Sequence, residues 1–223
     1  MPAMPGFRSS VRCRFVTLLL AGVLLAASPP LLSRAAAAPT FGGAAEEVVK
    51  SFATEGVSLL EDRGATLPAR ADQFRELLDK YFAIDAIGRW VLGRYWNQFD
   101  AAQRSDYMRL FEDLVVYGYV KRFGEYTGER LHITRTVAES DNQATVFSEI
   151  ERPTGGQPIR VDWRVGGRDG TILITDVVVE NVSLSQTWRS DFAATIQSGG
   201  INTFLDTLRE RTAQLKADLG VGR

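Results

Sequence analysis

Cysteine and histidine are almost absent from this sequence, which has one of each in 223 residues, Cys13 and His132. Beyond residue 13 the chain therefore offers no disulfide, no thiol nucleophile and no thiolate ligand for a metal. A single histidine also makes a histidine-based metal site unexpected, because such sites combine several ligands. We accordingly predict neither a metal nor a cofactor.

A long apolar segment is also missing near the amino terminus. The run Phe15–Ala27 has 13 residues, whereas a membrane-spanning helix needs about 20. Three arginines precede this run, and small residues, Ala35–Ala38, follow it. This order is typical of a secretory signal peptide. We predict a cleaved signal peptide over residues 1–38 and a single domain over 39–223, with a retained amino-terminal anchor as the alternative.

The sequence also lacks an excess of basic residues over acidic ones. Removing residues 1–38 removes four arginines and no acidic residue, which changes the formal net charge from −1 to −5. A nucleic-acid partner is not expected, since such proteins carry a basic surface. The remaining length of about 185 residues is that of one ordinary domain, long enough to bury a core and leave room for a ligand.

The period of the apolar residues changes along the chain. Helical spacing is followed by strand alternation and then by helical spacing again. Asp100 and Gln103 have the spacing of a capping box at the start of the longest helix. The short turns between strands favour antiparallel neighbours. We therefore predict an α+β fold: amino-terminal helices over 44–62, 71–82, 84–92 and 100–126; a four-stranded antiparallel meander over 131–137, 143–151, 159–165 and 171–180; and two carboxy-terminal helices, 185–197 and 202–218, packing on one sheet face.

Few residues are arranged for catalysis. A Ser-His-Asp triad would have to use His132, and no G-x-S-x-G elbow supports one. The glycines of Gly166–Gly170 lie between two strands, so a hairpin turn explains them better than a phosphate loop. The carboxylate pairs Glu149 with Glu151 and Asp176 with Glu180 would suit acid–base work only if their pKa values were pushed apart. Solvated strand faces explain these pairs at least as well.

Several stretches, in order, resemble one family of proteins. They are WVLGRYWNQFDAAQRSDYMRLFEDLV (90–115), YTGERLHI (126–133), IRVDWRV (159–165) and VVVENVSLSQTWRSDFAATIQSGGINTFL (177–205). Together they are similar to the toluene-tolerance, or MlaC, family of periplasmic phospholipid-binding proteins. One departure is Asn181, where the family usually has glycine. Asparagine also tolerates a left-handed backbone, so the turn can be kept.

The resemblance implies a soluble lipid carrier of the periplasm that holds acyl chains in a cavity between sheet and helices. It also implies two partners besides the phospholipid ligand. These are an inner-membrane ABC transporter complex, through its MCE-domain subunit, and an outer-membrane lipoprotein–porin complex. A hopanoid is the alternative ligand within the family.

Periodicity then proposes which side chains would contact the lipid. The candidates for tail contact lie on helical faces and alternating strand positions: Val91, Leu92, Tyr95, Phe111, Leu114, Val115, Tyr119, Val161, Trp163 and Val178. Arg160 and Arg164 are the head-group candidates. Trp188 and Arg189 are expected near the rim of such a cavity, after a corner at which Ser183 or Ser185 caps the following helix. Core packing would produce the same apolar pattern.

Two other kinds of function remain open from the sequence. One is a small exported hydrolase that uses His132 and a nearby acid. The other is an envelope interaction module without a ligand.

Overall fold

The computed structural model describes residues 40–221. The predicted signal peptide lies outside these residues. None of the helices in the described range combines the length and the apolarity required to span a bilayer.

The elements follow the predicted order of helices, sheet and helix. Two short 3₁₀ helices, Gly93–Gln98 and Phe123–Glu125, flank the fourth α-helix of the chain. The helices are α1 (Phe41–Glu61), α2 (Leu67–Tyr81), α3 (Ile84–Leu92), α4 (Ala101–Val120) and α5 (Leu184–Leu219). The strands are β1 (Arg130–Ser140), β2 (Gln143–Glu151), β3 (Ile159–Arg168), β4 (Thr171–Val179) and β5 (Val182–Ser183).

The sheet is an antiparallel meander in the order β1-β2-β3-β4-β5. It has five strands rather than the four predicted, because two residues after the β4 turn pair back onto β4. That turn places Glu180 and Asn181 in the left-handed region, with φ values of 48° and 67°. Asn181 thus has the conformation expected for it. The α+β architecture is confirmed, with the fifth strand as a minor difference.

Helices cover one face of the sheet and are tied to one another by ion pairs. Buried Asp113 of α4 accepts hydrogen bonds from Arg75 of α2, at 2.8 Å, and from Lys216 of α5, at 2.7 Å. Arg209 and Asp106 form a second link between α5 and α4, at 2.5 Å. These contacts fix the carboxy-terminal half of α5 against α4.

Several helix boundaries differ by a few residues from the predicted ones. Helix α1 begins at Phe41, three residues earlier than predicted. Helix α2 also begins earlier, because Thr66 caps it and Pro68 occupies its first turn, a position that proline favours. Helix α4 ends at Val120, followed by a 3₁₀ turn, instead of continuing to about residue 126. The two predicted carboxy-terminal helices are both present as segments of α5, with a break between them at Gly200, where φ is 79° and ψ is 175°.

Gly200 is expected to be required for this break. A residue with a Cβ rarely adopts such a conformation, which costs about 1–3 kcal/mol. We expect Gly200→Ala to lower the free energy of unfolding by that amount in urea denaturation. Gly118→Ala is the control, since Gly118 lies within α4 and a Cβ there meets no atom within 4 Å. Equal stability of the two variants would contradict this role.

Candidate functional site

An apolar cavity of about 300 Å³ lies between the sheet and the helices. Asp176 and Ser185 are the polar residues of its lining. The sheet contributes Ile150, Val161, Trp163, Val177 and Val179. The helical side contributes Phe52, Phe74, Leu78, Phe82, Ile84, Ile87, Phe111, Val115, Tyr119, Phe123, Leu184 and Trp188. Each of the five α-helices therefore contributes to this wall.

The sheet wall follows from strand alternation and register. Alternate residues of a strand point to the same face, so Val161 and Trp163 both face the helices. The register pairs Trp163 with Val177 and Val161 with Val179, which brings four apolar side chains together. The indole Nε1 of Trp163 donates to the Ser148 hydroxyl at 2.9 Å. The indole N–H group therefore has a hydrogen-bond acceptor within an otherwise apolar site.

Aromatic rings form much of the helical wall. Phe111 of α4 meets Trp188 of α5 edge to face, with ring centroids 5.4 Å apart. Phe52 of α1 meets Trp163 in the same manner at 5.5 Å. Edge-to-face pairs of this kind are favourable beyond their buried area. They give the cavity a defined shape while leaving space between the rings.

Tyr119 contributes a phenol hydroxyl to the cavity lining. Burial suppresses the ionisation of this hydroxyl. Burial raises the pKa of Tyr119, and the positive charge of nearby Arg122 partly opposes this increase. The phenol is therefore neutral at physiological pH, and this wall carries no negative charge.

Asp176 joins β4 to the start of α5 at the cavity wall. Its carboxylate accepts hydrogen bonds from the hydroxyls of Ser183 and Ser185, both at 2.7 Å. The backbone N–H groups of Val177 and Ser185 donate to the same carboxylate. The Ser183 hydroxyl also accepts from Gln186 N at 3.1 Å, so it caps α5 as predicted. Ser183 is thus held by a carboxylate and a helix end, and the corner is structural.

Five of the ten predicted tail-contact residues line the cavity: Phe111, Val115, Tyr119, Val161 and Trp163. The other five do not line it. Leu114 borders an adjoining opening. Val91, Leu92 and Tyr95 are buried in the core elsewhere. Val178 pairs with Asp162, so it lies on the opposite face of the sheet from Val177. Contact with a lipid stays a prediction for all ten.

The two predicted head-group arginines lie on the sheet face opposite Trp163. Arg160 pairs with Asp162 through Nη2 at 2.8 Å. Arg164 pairs with Asp176 at 3.3 Å and borders a second opening. Both guanidinium groups therefore already have carboxylate partners. Contact of either arginine with a lipid head group stays a prediction.

His132 lies on the exposed part of β1, and its Nε2 is 3.1 Å from the Glu151 carboxylate. Neither residue lines the cavity. Of the predicted rim residues, Trp188 does line the cavity, whereas Arg189 donates to the backbone oxygen of Trp90 at 2.7 Å. Within residues 40–221, no group of three or more potential ligands is placed to hold a metal ion.

Most of the helical wall was not predicted to be a site. Phe52, Phe74 and Leu78 show the helical spacing of apolar residues, which is the same for a packed core and for a cavity wall. Val177 and Val179 belong to a run of three valines, in which alternation does not reveal the inward face. The sequence has no marker that separates these residues from core residues.

Two comparisons with known proteins point to one family. The model of the MlaC protein family matches residues 50–210. The Haemophilus influenzae intermembrane phospholipid transport system binding protein MlaC is 23% identical over 137 residues. That match covers 60% of this chain and 64% of the relative, slightly less than two thirds of its length.

A solved structure shares the fold. It is the phospholipid-binding protein from Ralstonia solanacearum in complex with a phospholipid, with a TM-score of 0.67 and 21% identity. The match covers 77% of this chain and 98% of that one. At this identity the likeness establishes the fold alone. Because the family model spans well over half of the sequence, the chain belongs to the MlaC family.

Proposed function

We propose that this protein is a periplasmic lipid carrier that holds the acyl chains of a phospholipid in the apolar cavity. In this proposal it moves lipid between an inner-membrane ABC transporter complex, through its MCE-domain subunit, and an outer-membrane lipoprotein–porin complex. The transfer maintains the lipid asymmetry of the outer membrane. The signal peptide predicted over residues 1–38 would direct export, and residues 39–223 would form the lipid-binding domain.

The observation that carries the proposal is the cavity itself in a chain of the MlaC family. Its lining is apolar except for Asp176 and Ser185. The Asp176 carboxylate already accepts hydrogen bonds from two hydroxyls and two backbone N–H groups. Such a site suits hydrocarbon and offers little to a polar ligand. The matched structure from Ralstonia solanacearum holds a phospholipid on the same fold.

The energetics of transfer explain why a lipid needs such a site. Each methylene exposed to water costs about 0.8 kcal/mol, so a lipid with two chains does not leave a bilayer unaided. A cavity as apolar as the bilayer interior replaces one hydrocarbon environment with another. Loading and release are then close to isoenergetic, and binding to a partner complex can shift the balance in either direction.

The cavity must expand or extend to hold two chains. Its volume of about 300 Å³ is at the lower end of the range for ligand sites, about 300–1,000 Å³. Two adjoining openings, of about 560 and 540 Å³, share wall residues with it. We propose that the chains extend the cavity toward one of these openings.

Lipid analysis of the purified protein tests the proposal. We expect protein purified without detergent to yield about one lipid per chain after organic extraction, counted by mass spectrometry. The same spectra distinguish a glycerophospholipid from a hopanoid. Protein that is folded and yet carries no extractable lipid, and that takes none up from vesicles, would contradict the proposal.

A further inference from the structure

The cavity adjoins two openings that differ in charge. The first, here called the β4-edge opening, shares Ile87, Asp176 and Ser185 with the cavity. The second, the α4–α5 opening, shares Tyr119, Leu184 and Trp188 with it. Each opening is a candidate place for the head group of a lipid whose chains occupy the cavity.

Among the described residues that border the β4-edge opening, none is an unpaired cation. The arginine of this opening, Arg164, faces the Asp176 carboxylate at 3.3 Å. Glu139 also borders this opening and accepts a hydrogen bond from Thr145. The balance of charge there is negative, which disfavours an anionic group.

The α4–α5 opening has the opposite balance. Lys121, Arg122 and Arg211 border it together with one acid, Glu125. Lys121 is already paired with Asp218 at 2.6 Å. In the described part of the chain, neither Arg122 nor Arg211 has a carboxylate within 4.0 Å. Two guanidinium groups are therefore available at this mouth.

Arg122 is also electrostatically coupled to the cavity wall. Its charge opposes the increase that burial causes in the pKa of Tyr119, so the guanidinium lies within range of a phenol that lines the cavity. Trp188 borders both this opening and the cavity. The apolar wall and the cationic rim therefore lie next to each other here.

We propose that Arg122 and Arg211 bind the phosphate of the lipid head group at the α4–α5 opening. The chains then pass between Tyr119 and Trp188 into the cavity. Arginine suits this role because its planar fork matches phosphate oxygens and remains charged at any physiological pH. This inference rests on the proposed carrier function and adds to it the two residues that bind the phosphate and the place where they do so.

A purely structural role is the rival explanation for Arg122. The carboxyl end of a helix carries partial negative charge that nearby cations stabilise, and Arg122 follows the end of α4 at Val120. That role predicts a change in stability without a change in lipid choice. It also gives no reason for Arg211, which lies on α5.

The test compares two lipids with identical acyl chains, phosphatidylglycerol and diacylglycerol. Delipidated protein is incubated with vesicles that contain both, reisolated, and its lipid is quantified by mass spectrometry. We expect the wild type to prefer the phospholipid. In the double variant Arg122→Gln, Arg211→Gln this preference should fall about tenfold, which corresponds to 1.4 kcal/mol, while total lipid is retained.

The control removes the same charge elsewhere. Arg63 and Arg152 are exposed and border neither the cavity nor its openings, so Arg63→Gln, Arg152→Gln should keep the preference. Thermal denaturation verifies that all variants are folded. An unchanged preference in the Arg122/Arg211 variant, or an equal loss of both lipids, would overturn the inference and leave the carrier proposal standing. A wild type that takes up neither lipid would overturn both.

Inorganic phosphate distinguishes a head-group site from a site for the free ion. Lipid-free protein is titrated with inorganic phosphate by calorimetry. Weak or no binding, together with the tenfold change in lipid preference, supports a head-group site. Phosphate binding that the double variant loses without any change in lipid preference would assign the arginines to the free ion and overturn the inference.

Discussion

A Val177→Trp variant should lose about nine tenths of its bound lipid and remain folded. Val177 points into the cavity from β4, next to Trp163. An indole at this position occupies space that the acyl chains need, and a tenfold loss corresponds to only 1.4 kcal/mol. Because the added ring enters an existing cavity, we expect the loss of stability not to exceed about 1–3 kcal/mol, the cost typical of an overpacked core. Lipid per protein after detergent-free purification and the midpoint of urea denaturation are the two measurements.

Val182→Trp is the matched control. Val182 is 55% exposed on β5 and does not line the cavity. The same substitution there should leave lipid content unchanged. A Val177→Trp protein that carries as much lipid as the wild type would show that the chains do not occupy this cavity.

Loss of Asp176 is expected to destabilise the protein strongly. The carboxylate is buried and accepts from two hydroxyls and two backbone N–H groups. Each buried donor left without an acceptor costs about 1–3 kcal/mol. We expect Asp176→Ala to lower the free energy of unfolding by about 3–5 kcal/mol and to loosen the start of α5.

The control for this variant is Asp206→Ala. Asp206 is an exposed residue of α5 whose ion pair with Arg209 lies on the surface, where such pairs contribute about 0–1 kcal/mol. Equilibrium denaturation of both variants gives the comparison. If Asp176→Ala costs no more than Asp206→Ala, the carboxylate does not hold the corner between β4 and α5.

The fold was predictable because its signals are local. Apolar spacing identified each helix, and alternation identified strands such as Ile159–Val165, which the structure extends to Arg168. The capping box at Asp100 and Gln103 forms as its spacing predicts. Apolar period and capping residues depend on neighbours in the sequence, so a single sequence is enough to predict the type and order of most elements.

The cavity was harder to predict, because a wall and a core have the same pattern. Val178 was proposed as a wall residue, whereas the register places Val177 and Val179 opposite Trp163 and Val161. A register shift between Arg164 and Val165 changes the pairing of the two strands. Such a bulge is not encoded in alternation, and it decides which valines face the helices.

Openings and their charge depend on residues far apart in sequence. Arg122 and Arg211 border one opening because α4 and α5 pack side by side. Arg160 and Arg164, by contrast, are close in sequence to the cavity strand residues and were proposed for that reason. Their side chains lie on the other face of β3, where they pair with Asp162 and Asp176.

A crystal structure of the protein loaded with a phospholipid that carries brominated acyl chains tests the central claim most directly. Anomalous scattering locates the bromine atoms independently of the protein model. We predict bromine positions inside the cavity, within about 4.5 Å of Trp163 and Phe111, the side chains that line it from the sheet and from α4. Bromine sites confined to the outer surface, with the cavity unoccupied, would contradict the account.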